Sequence, residues 1–440
     1  MICRYSNCKT HKRKMNLNIN IAIPYICYMI LRALILISLL LFCLFSCYTT
    51  PQQIINPADA IDKGIAYLKQ SQLDDGSWAT YKGSRQYPLL IKESPIFSSL
   101  CIIDFLDEHH ANAPWLEKTY HYIENQFNPD YTLNFDGKEH LYCCGKILAT
   151  GKWLPPDFDD TSLGLLLLKD KLNLNENSKD SLLKLYKKHE LGNQLFPSFM
   201  IGYYPKKIEM PLTMEAEAKT SLGVNVNTLR YKTAYNLQPD IMCAGIGEWI
   251  NTHQLTDDPY YPPYMLAYWL LQTETCNMVK QHFFSQYKPT IESASTLAID
   301  VLILIEKGNE KEIIRPFIDK ILNLQNEDGS WDAEPQFYGG GIDDPIEQKK
   351  RYYSFFEQYA NQSFQSSPYL QMYPEIGKAT ECLTIKQQGK TLEPPCDELA
   401  EKYYHYFSIL INYHTRHYYY SDAATTALCL KALSAYNSLE

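Results

Sequence analysis

Apolar residues recur every three or four positions along most of the chain beyond residue 57. This spacing places them on one face of an α-helix, so each such segment predicts a helix. Eleven segments have the pattern: 58–71, 95–108, 115–125, 161–172, 180–189, 221–235, 263–273, 293–307, 312–325, 398–413 and 422–436. A weaker segment at 279–287 would make twelve, whereas the alternating runs typical of strands are scarce. The pattern therefore predicts an all-α body.

The amino-terminal 46 residues differ from this body, because they contain six basic residues and no Asp or Glu. The basic residues precede an apolar run at 33–45, which has the order of an export signal and is short for a bilayer span. The run leads into Leu44-Phe45-Ser46-Cys47, which resembles the lipobox of bacterial lipoproteins. The resemblance implies that Cys47 carries a lipid. An uncleaved anchor and a translation start at Met29 stay open, but each places the body outside the cytoplasm, tethered to a membrane of the cell envelope.

The charge of the chain excludes one class of partner. The sequence has 41 Lys and Arg against 50 Asp and Glu, a formal net charge of −9, and the body without its basic leader has −15. It contains no Lys/Arg-rich tract, and binding to phosphates depends on clustered positive charge. We therefore expect no nucleic acid partner.

The cysteine spacing predicts neither a disulfide framework nor a metal site. Five of the 13 cysteines lie at or before position 47, which leaves eight in the body. An exported chain permits disulfides, but these eight lack framework spacing and the domain is too large to require them. No Cys-x-x-Cys pair occurs, so zinc-site spacing is absent. We expect mostly buried thiols, no metal and no cofactor.

Two segments of the body repeat the pattern Gln-x-x-Asp-Gly-Ser-Trp at the end of a predicted helix, at 72–78 and at 325–331. They resemble the QW repeats of the superfamily of squalene–hopene cyclases and protein prenyltransferase β-subunits. Residues 422–433 likewise resemble the Thr-Thr-Ala-Leu helix of this group. The resemblance implies an α/α toroid, and twelve helices suffice for a single one of about six hairpins, with an inner and an outer ring.

The predicted organisation is an export signal at 1–46, a linker at 47–57 and a toroid at 58–440. The toroid is interrupted at 332–397 by a long segment rich in Tyr, Gln and Gly. Long interruptions are usually functional or mobile, so this one is predicted to be a lid or rim insertion, with a plain surface excursion as the alternative.

Chemistry is indicated most specifically by Asp157-Phe158-Asp159-Asp160-Thr161, which is similar to the D-x-D-D-T motif of class II terpene cyclases. The resemblance implies that Asp159 donates a proton to an alkene or epoxide, with Asp157 and Asp160 in support. Crowded carboxyls in a desolvated pocket fit this task, because crowding keeps one of them protonated. The alternative is a structural role, since Asp and Thr also cap helix starts and suit the helix dipole.

Other polar and aromatic positions are candidates for a substrate pocket. Two Asn at the start of an otherwise apolar helix could point into a pocket, with helix capping as the alternative role. Aromatic residues could stabilise a cation through their π-faces. The substrate-binding candidates are Asn225, Asn227, Tyr264 and Trp269. The catalytic zinc pattern of the prenyltransferases is absent, because no Asp-x-Cys occurs.

These observations predict a class II cyclase or isomerase that acts on an apolar polyprenoid beside a membrane. The alternative is a non-catalytic surface lipoprotein that uses the mouth of the toroid and the segment 332–397 to bind a ligand or a protein. The sequence names no protein partner. Fold alone does not set function, so the two hypotheses have to be separated at the site.

Overall fold

The structure is a computed structural model that describes residues 56–84, 87–93, 95–106, 110, 112–134, 141–143, 146–149, 156–172, 174–192, 194–200, 220–237, 239–288, 292–339 and 417–439. The predicted export signal at 1–46, Cys47, the predicted helix at 398–413 and most of the segment 332–397 lie outside these residues.

The described part of the chain contains twelve α-helices. They are α1 (Pro57–Ser71), α2 (Ile96–Phe105), α3 (Glu117–Gln126), α4 (Phe158–Leu167), α5 (Glu176–His189), α6 (Leu222–Ala234), α7 (Asp240–Thr252), α8 (Pro263–Leu271), α9 (Asn277–Gln286), α10 (Ala294–Glu306), α11 (Lys311–Asn323) and α12 (Asp422–Asn437). The all-α prediction is confirmed. Helix α7 was not predicted, and the weak segment at 279–287 corresponds to α9.

The even-numbered helices form a closed ring. Each of α2, α4, α6, α8, α10 and α12 contacts the next, and α12 returns to α2. These helices are buried on most sides, and all ten residues of α2 are buried. The odd-numbered helices pack outside them, for example α1 against α12 and α7 against α6. They bury one face only, as expected for amphipathic helices with a solvent side. The alternation of inner and outer helices confirms the predicted single α/α toroid.

The two repeated segments form the same tight turn at the ends of α1 and α11. The backbone adopts a positive φ at Gly76 (+95°) and at Gly329 (+92°). A Cβ atom at either position would lie 2.4 Å from a carbonyl oxygen of another helix, on Lys118 and Lys63 respectively. Glycine is therefore required at both turns for its conformation and for the close approach.

Each turn fastens one outer helix to the next. The Gln72 side chain donates a 2.7 Å hydrogen bond to Thr119 Oγ1 of α3, and the Gln325 side chain donates one of 2.9 Å to the Ala60 carbonyl of α1. Trp78 and Trp331 are fully buried, and each indole N–H donates to a carbonyl of the preceding helix. The second of these turns joins α11 to α1 and so closes the outer ring.

The same turn occurs twice more without its sequence signature. In the first turn, Leu73 N–H donates to the Ser77 carbonyl and Gly76 N–H donates to the Leu73 carbonyl. The same pair of backbone hydrogen bonds recurs within residues 128–132 and within residues 191–195, at 2.8–2.9 Å. The positive φ falls on Tyr131 (62°) and Gln194 (62°), and Leu133 and Phe196 occupy the place of the tryptophan. The repeat is therefore more extensive in the structure than in the sequence.

A small antiparallel sheet was not predicted. It consists of β1 (Thr80–Ser84), β2 (Tyr87–Glu93), β5 (Glu334–Gly339) and β6 (His417–Ser421), in the order β2-β1-β6-β5. A separate hairpin is formed by β3 (Leu141–Cys143) and β4 (Lys146–Ala149). Strand β6 runs directly into α12 and β2 precedes α2, so the sheet lies at the ends where these inner helices begin. Strand β5 is the first part of the segment 332–397.

The cysteines only partly follow the prediction. Cys101 and Cys429 are buried thiols, as predicted, whereas Cys243 of α7 and Cys276 at the start of α9 form a disulfide. The sequence separation of 33 residues corresponds to a stabilisation of about 3–4 kcal/mol. No helix in the described part of the chain is long and apolar enough to cross a bilayer.

Candidate active site

The acidic motif forms the start of inner helix α4. Asp157 is the N-cap, and its Oδ1 accepts a 2.8 Å hydrogen bond from the backbone N–H of Asp160. The helix begins three residues earlier than the predicted 161, so Asp159 and Asp160 lie in its first turn. Capping accounts for Asp157, and the helix dipole favours carboxylates in the first turn.

The motif is held in place by backbone segments that precede and follow it. Asp157 N–H donates to the Leu133 carbonyl, and Leu133 N–H donates to Thr161 Oγ1 at 2.9 Å. On the other side, Phe158 N–H donates to the Ser198 carbonyl, and Met200 N–H to that of Pro156. These hydrogen bonds hold the backbone that carries the three carboxyl groups.

All three carboxyl groups are buried together. The exposed fractions of Asp157, Asp159 and Asp160 are 4%, 7% and 1%, and one oxygen from each lies within 4.8 Å of the others. Burial raises the pKa of Asp157 well above its usual value, and the neighbouring carboxylates of Asp160 and Asp159 raise it further. The structure therefore brings the three predicted catalytic residues into one desolvated cluster.

Asp157 and Asp159 differ in acidity. Burial raises the pKa of Asp159 to about 6. The rise is no larger because the Asp157 carboxyl and backbone N–H groups stabilise the Asp159 carboxylate. Asp159 is thus the stronger acid and Asp157 the group that keeps its proton. One oxygen from each carboxyl lies close enough to the others for the three to share a hard cation, since carboxylate oxygens are the ligands that such cations prefer.

The two candidate asparagines of α6 have different surroundings. Asn225 uses its amide group on backbone atoms, since Oδ1 accepts from Phe196 N–H at 2.7 Å and Nδ2 donates to the carbonyls of Phe196 and Ser221. It holds the turn that precedes α6. Asn227 is fully buried, and its Oδ1 accepts a 3.3 Å hydrogen bond from Arg230.

The two aromatic candidates of α8 are both buried. The Tyr264 hydroxyl donates to the Pro335 carbonyl of β5, which ties α8 to the sheet. Trp269 is fully buried and lies edge-on to Tyr261 at 4.8 Å and to Phe97 of α2 at 6.1 Å between ring centroids. Helices α2 and α8 lie opposite each other in the ring, so these rings occupy its interior.

A buried ion pair, which was not predicted, also crosses the ring interior. Arg230 of α6 donates to both carboxylate oxygens of Asp104 of α2, at 2.6 and 2.9 Å. The Tyr268 hydroxyl of α8 donates to the Asp104 carbonyl. In the ring, α2 is a neighbour of neither α6 nor α8, so the side chains meet inside it.

Asp258 is a buried carboxylate that caps α6, and it was not among the predicted site residues. It accepts hydrogen bonds from the backbone N–H groups of Leu222, Gly223, Tyr260 and Tyr261 and from the Ser221 hydroxyl. Burial raises its pKa to about 6 despite these bonds. The starts of α4 and α6 lie at the same end of the ring, because Phe158 N–H donates to the Ser198 carbonyl and the Asn225 side chain binds the backbone of Phe196 in the same segment.

The protein is expected to become more stable as the pH falls from 7.5 to 5. Asp159 and Asp258 have a pKa of about 6 when folded and about 3.9 when unfolded, so the folded state holds protons that the unfolded chain has released. This stabilisation is complete below about pH 4 and is lost as the pH rises through about 6. For the two groups the gain from pH 7.5 to 5 is about 2–3 kcal/mol, measurable by urea unfolding. The variant Asp258→Asn should show about half of it; an unchanged gain would mean that Asp258 is not responsible.

No protein-family model matches the chain, and neither does any curated protein. Among solved structures, the chain is similar to the type II terpene cyclase MstE from Scytonema in its apo form, with a TM-score of 0.50 and 11% identity over 86% of this chain and 97% of that one. It is also similar to a protein from Actinoplanes, with a TM-score of 0.48 and 12% identity over 87% of this chain and 100% of that one. A variant of MstE with its substrate geranylgeranyl dihydroxybenzoate gives a TM-score of 0.44 and 11% identity over 87% of this chain and 98% of that one. The similarity to apo MstE shows a common fold.

Proposed function

We propose that this protein is a terpene-cyclase-like isomerase that starts its reaction by protonating an alkene of a polyprenoid. The observation that supports this most directly is the cluster of three buried carboxyl groups, Asp157, Asp159 and Asp160, at the start of an inner-ring helix. A carboxyl whose pKa a desolvated site raises to about 6, as for Asp159, is still partly protonated near neutral pH and can act as a general acid. A helix cap alone needs one such group.

In the proposed reaction Asp159 donates its proton to one carbon of the alkene, and the adjacent carbon becomes cationic. Neighbouring double bonds then attack this cation, and transfer of a different, carbon-bound proton to water gives an isomer of the substrate. Asp159 regains its proton from solvent. The Asp159 carboxylate left behind is stabilised by the Asp157 carboxyl and by backbone N–H groups at the start of α4. Asp159 is the better donor of the two because its conjugate base is the better stabilised.

The aromatic side chains of the ring interior are suited to a cationic intermediate. Phe97, Tyr261 and Trp269 form a connected cluster, and Phe337 of β5 extends it from Phe97 at 5.0 Å. The faces of aromatic rings attract cations by about 0.5–2 kcal/mol each. A polyprenoid would also gain from the burial of its hydrocarbon chain in such surroundings.

The extent of the similarity to MstE also supports the proposal. Because 97% of MstE is covered, a type II terpene cyclase can be built from a single ring of this size, and a second toroid is not required. A variant of MstE has been seen with a geranylgeranyl compound as substrate. We extend this substrate class, a polyprenoid, to the present chain.

Incubation of the protein with geranylgeraniol, squalene or geranylgeranyl dihydroxybenzoate in D₂O is expected to yield an isomeric product with one carbon-bound deuterium per molecule. The deuterium enters because the exchangeable proton of Asp159 is added to carbon and a different, carbon-bound proton is lost. Mass spectrometry of the extract measures both the isomerisation and the label. If a polyprenoid raises the melting temperature but no labelled product forms, the protein is a non-catalytic binding protein.

We also propose that the chain is exported and anchored to a membrane through Cys47. The disulfide between Cys243 and Cys276 supports export, since such bonds persist mainly in oxidising compartments. Replacement of Cys47 by Ser should move the protein from the membrane fraction of bacterial cells to the soluble fraction, as judged by immunoblotting. Retention of the variant in the membrane fraction would instead identify the apolar run at 33–45 as an uncleaved anchor.

A further inference from the structure

The amide group of Asn227 in α6 is only half used by the protein. The side chain is fully buried, and its Oδ1 accepts a hydrogen bond from Arg230. Its Nδ2 has no hydrogen-bond partner among the described residues. A buried amide donor without an acceptor is unfavourable, and native proteins retain few of them. The exceptions therefore deserve an explanation, and one is that a ligand supplies the acceptor.

Asn227 lies on the interior side of the ring. Its partner Arg230 binds Asp104 of α2, and α4 lies between α2 and α6 in the ring. Because α4 separates α2 from α6 along the ring, their side chains can meet only in the interior of the ring, next to α4. Asn225, by contrast, is bound to the backbone of Phe196 in the loop that follows outer helix α5.

A second unpaired donor lies in the same interior. The Nε1 of Trp269, which is fully buried, also has no hydrogen-bond partner in the described part of the chain. The indole packs between Phe97 of α2 and Gly223 of α6, where an added Cβ would lie 3.0 Å from it. Both unpaired groups are N–H donors, so the complementary ligand has to supply lone pairs.

We infer that the ligand of this ring is an oxygenated polyprenoid whose carbonyl, ether or hydroxyl oxygen accepts a hydrogen bond from Asn227 Nδ2. This inference rests on the proposed function for the polyprenoid part of the ligand. The Ser162 hydroxyl of α4, three residues after Asp159, lies 3.3 Å from the hydroxyl of Thr228, the residue after Asn227 in α6. The oxygen and the acid are therefore within about one helical turn, about 5 Å, of each other along the ring axis.

The test compares two probes of equal chain length, geranylgeranyl acetate and the corresponding tetraprenyl hydrocarbon, by titration of the intrinsic fluorescence. The unmodified protein is expected to bind the ester about tenfold more tightly, as a buried hydrogen bond to an otherwise unpaired donor requires. The variant Asn227→Leu has nearly the same shape but no donor. It should bind both probes within about twofold of each other. A ratio near one in the unmodified protein, or one that Asn227→Leu leaves unchanged, overturns the inference.

Two further variants keep the outcome interpretable. Asn227→Asp places an acceptor beside Arg230, which can pair with it, and should bind the ester less tightly than the hydrocarbon; a retained ester preference overturns the inference even if Asn227→Leu does not fold. Asp159→Asn should keep the ester preference because it leaves Asn227 intact. Ester preference without turnover in the unmodified protein would reject the proposed function alone, and turnover without ester preference would reject this inference alone.

Discussion

Replacement of Asp159 by Asn is expected to lower product formation by about 10³-fold or more while the protein stays at least as stable. Asn has the same shape but cannot donate a proton of sufficient acidity, so the first step of the proposed reaction is lost. The folded state also no longer has to ionise a buried carboxyl whose pKa is raised to about 6. Product formation and urea unfolding at pH 7.5 measure the two effects.

Two substitutions at Asp157 are the matched controls. Asn is as good an N-cap as Asp, so Asp157→Asn should retain stability, and turnover should fall by about 10–100-fold because the Asp159 carboxylate loses a stabilising neighbour. Asp157→Ala removes the cap and should also cost about 1 kcal/mol. Full activity of Asp159→Asn together with an inactive Asp157→Asn would assign the proton donor to Asp157. Full activity of both would exclude protonation by this cluster.

The sequence predicted the helices well where local patterning determines them. Inner helices such as α2 and α10 are continuous apolar segments, and outer helices such as α11 have one apolar face. Helix α7 was missed because Gly245 and Gly247 interrupt its apolar positions, and glycine is a poor helix former. Its formation depends on packing against α6 and α9, which periodicity within the segment does not reveal.

Features that depend on distant residues could not be predicted. Strand β6, His417–Ser421, pairs with β1 and β5, and neither its register nor its partners follow from its own residues. The repeated turn at Gln194 has neither the glycine nor the tryptophan that identify it at 72–78. The disulfide joins cysteines 33 positions apart without framework spacing.

In the site, too, local features could be predicted and those that depend on distant residues could not. The motif of Asp157, Asp159 and Asp160 is local, and the structure brings its three carboxyls together. The role of Asp258 could not be predicted from its own neighbours because it depends on helix α6, which precedes it by more than 20 residues. The ion pair of Asp104 and Arg230 joins positions 126 residues apart, and only the closure of the ring brings them into contact.

Breaking the ion pair of Asp104 and Arg230 is expected to destabilise the protein strongly. Arg230→Met is expected to lower the free energy of unfolding by about 3–5 kcal/mol, because it leaves the Asp104 carboxylate buried without its partner. The side chains of the pair are only 9% and 4% exposed, so water cannot replace the lost interaction. Asp104→Asn, which leaves the Arg230 guanidinium unpaired, should be destabilising for the same reason. Urea unfolding of each variant gives the values.

The double variant decides whether the pair acts as a unit. When both charges are removed, no unpaired charge remains in the interior. The loss in the free energy of unfolding of the double variant should therefore be smaller than the sum of the two single losses, by at least about 1.5 kcal/mol. Tyr268 donates to the backbone carbonyl of Asp104 and can do so in every variant. Strict additivity would mean that the two side chains do not interact in the folded protein, and α2 and α6 would then not be joined across the interior of the ring.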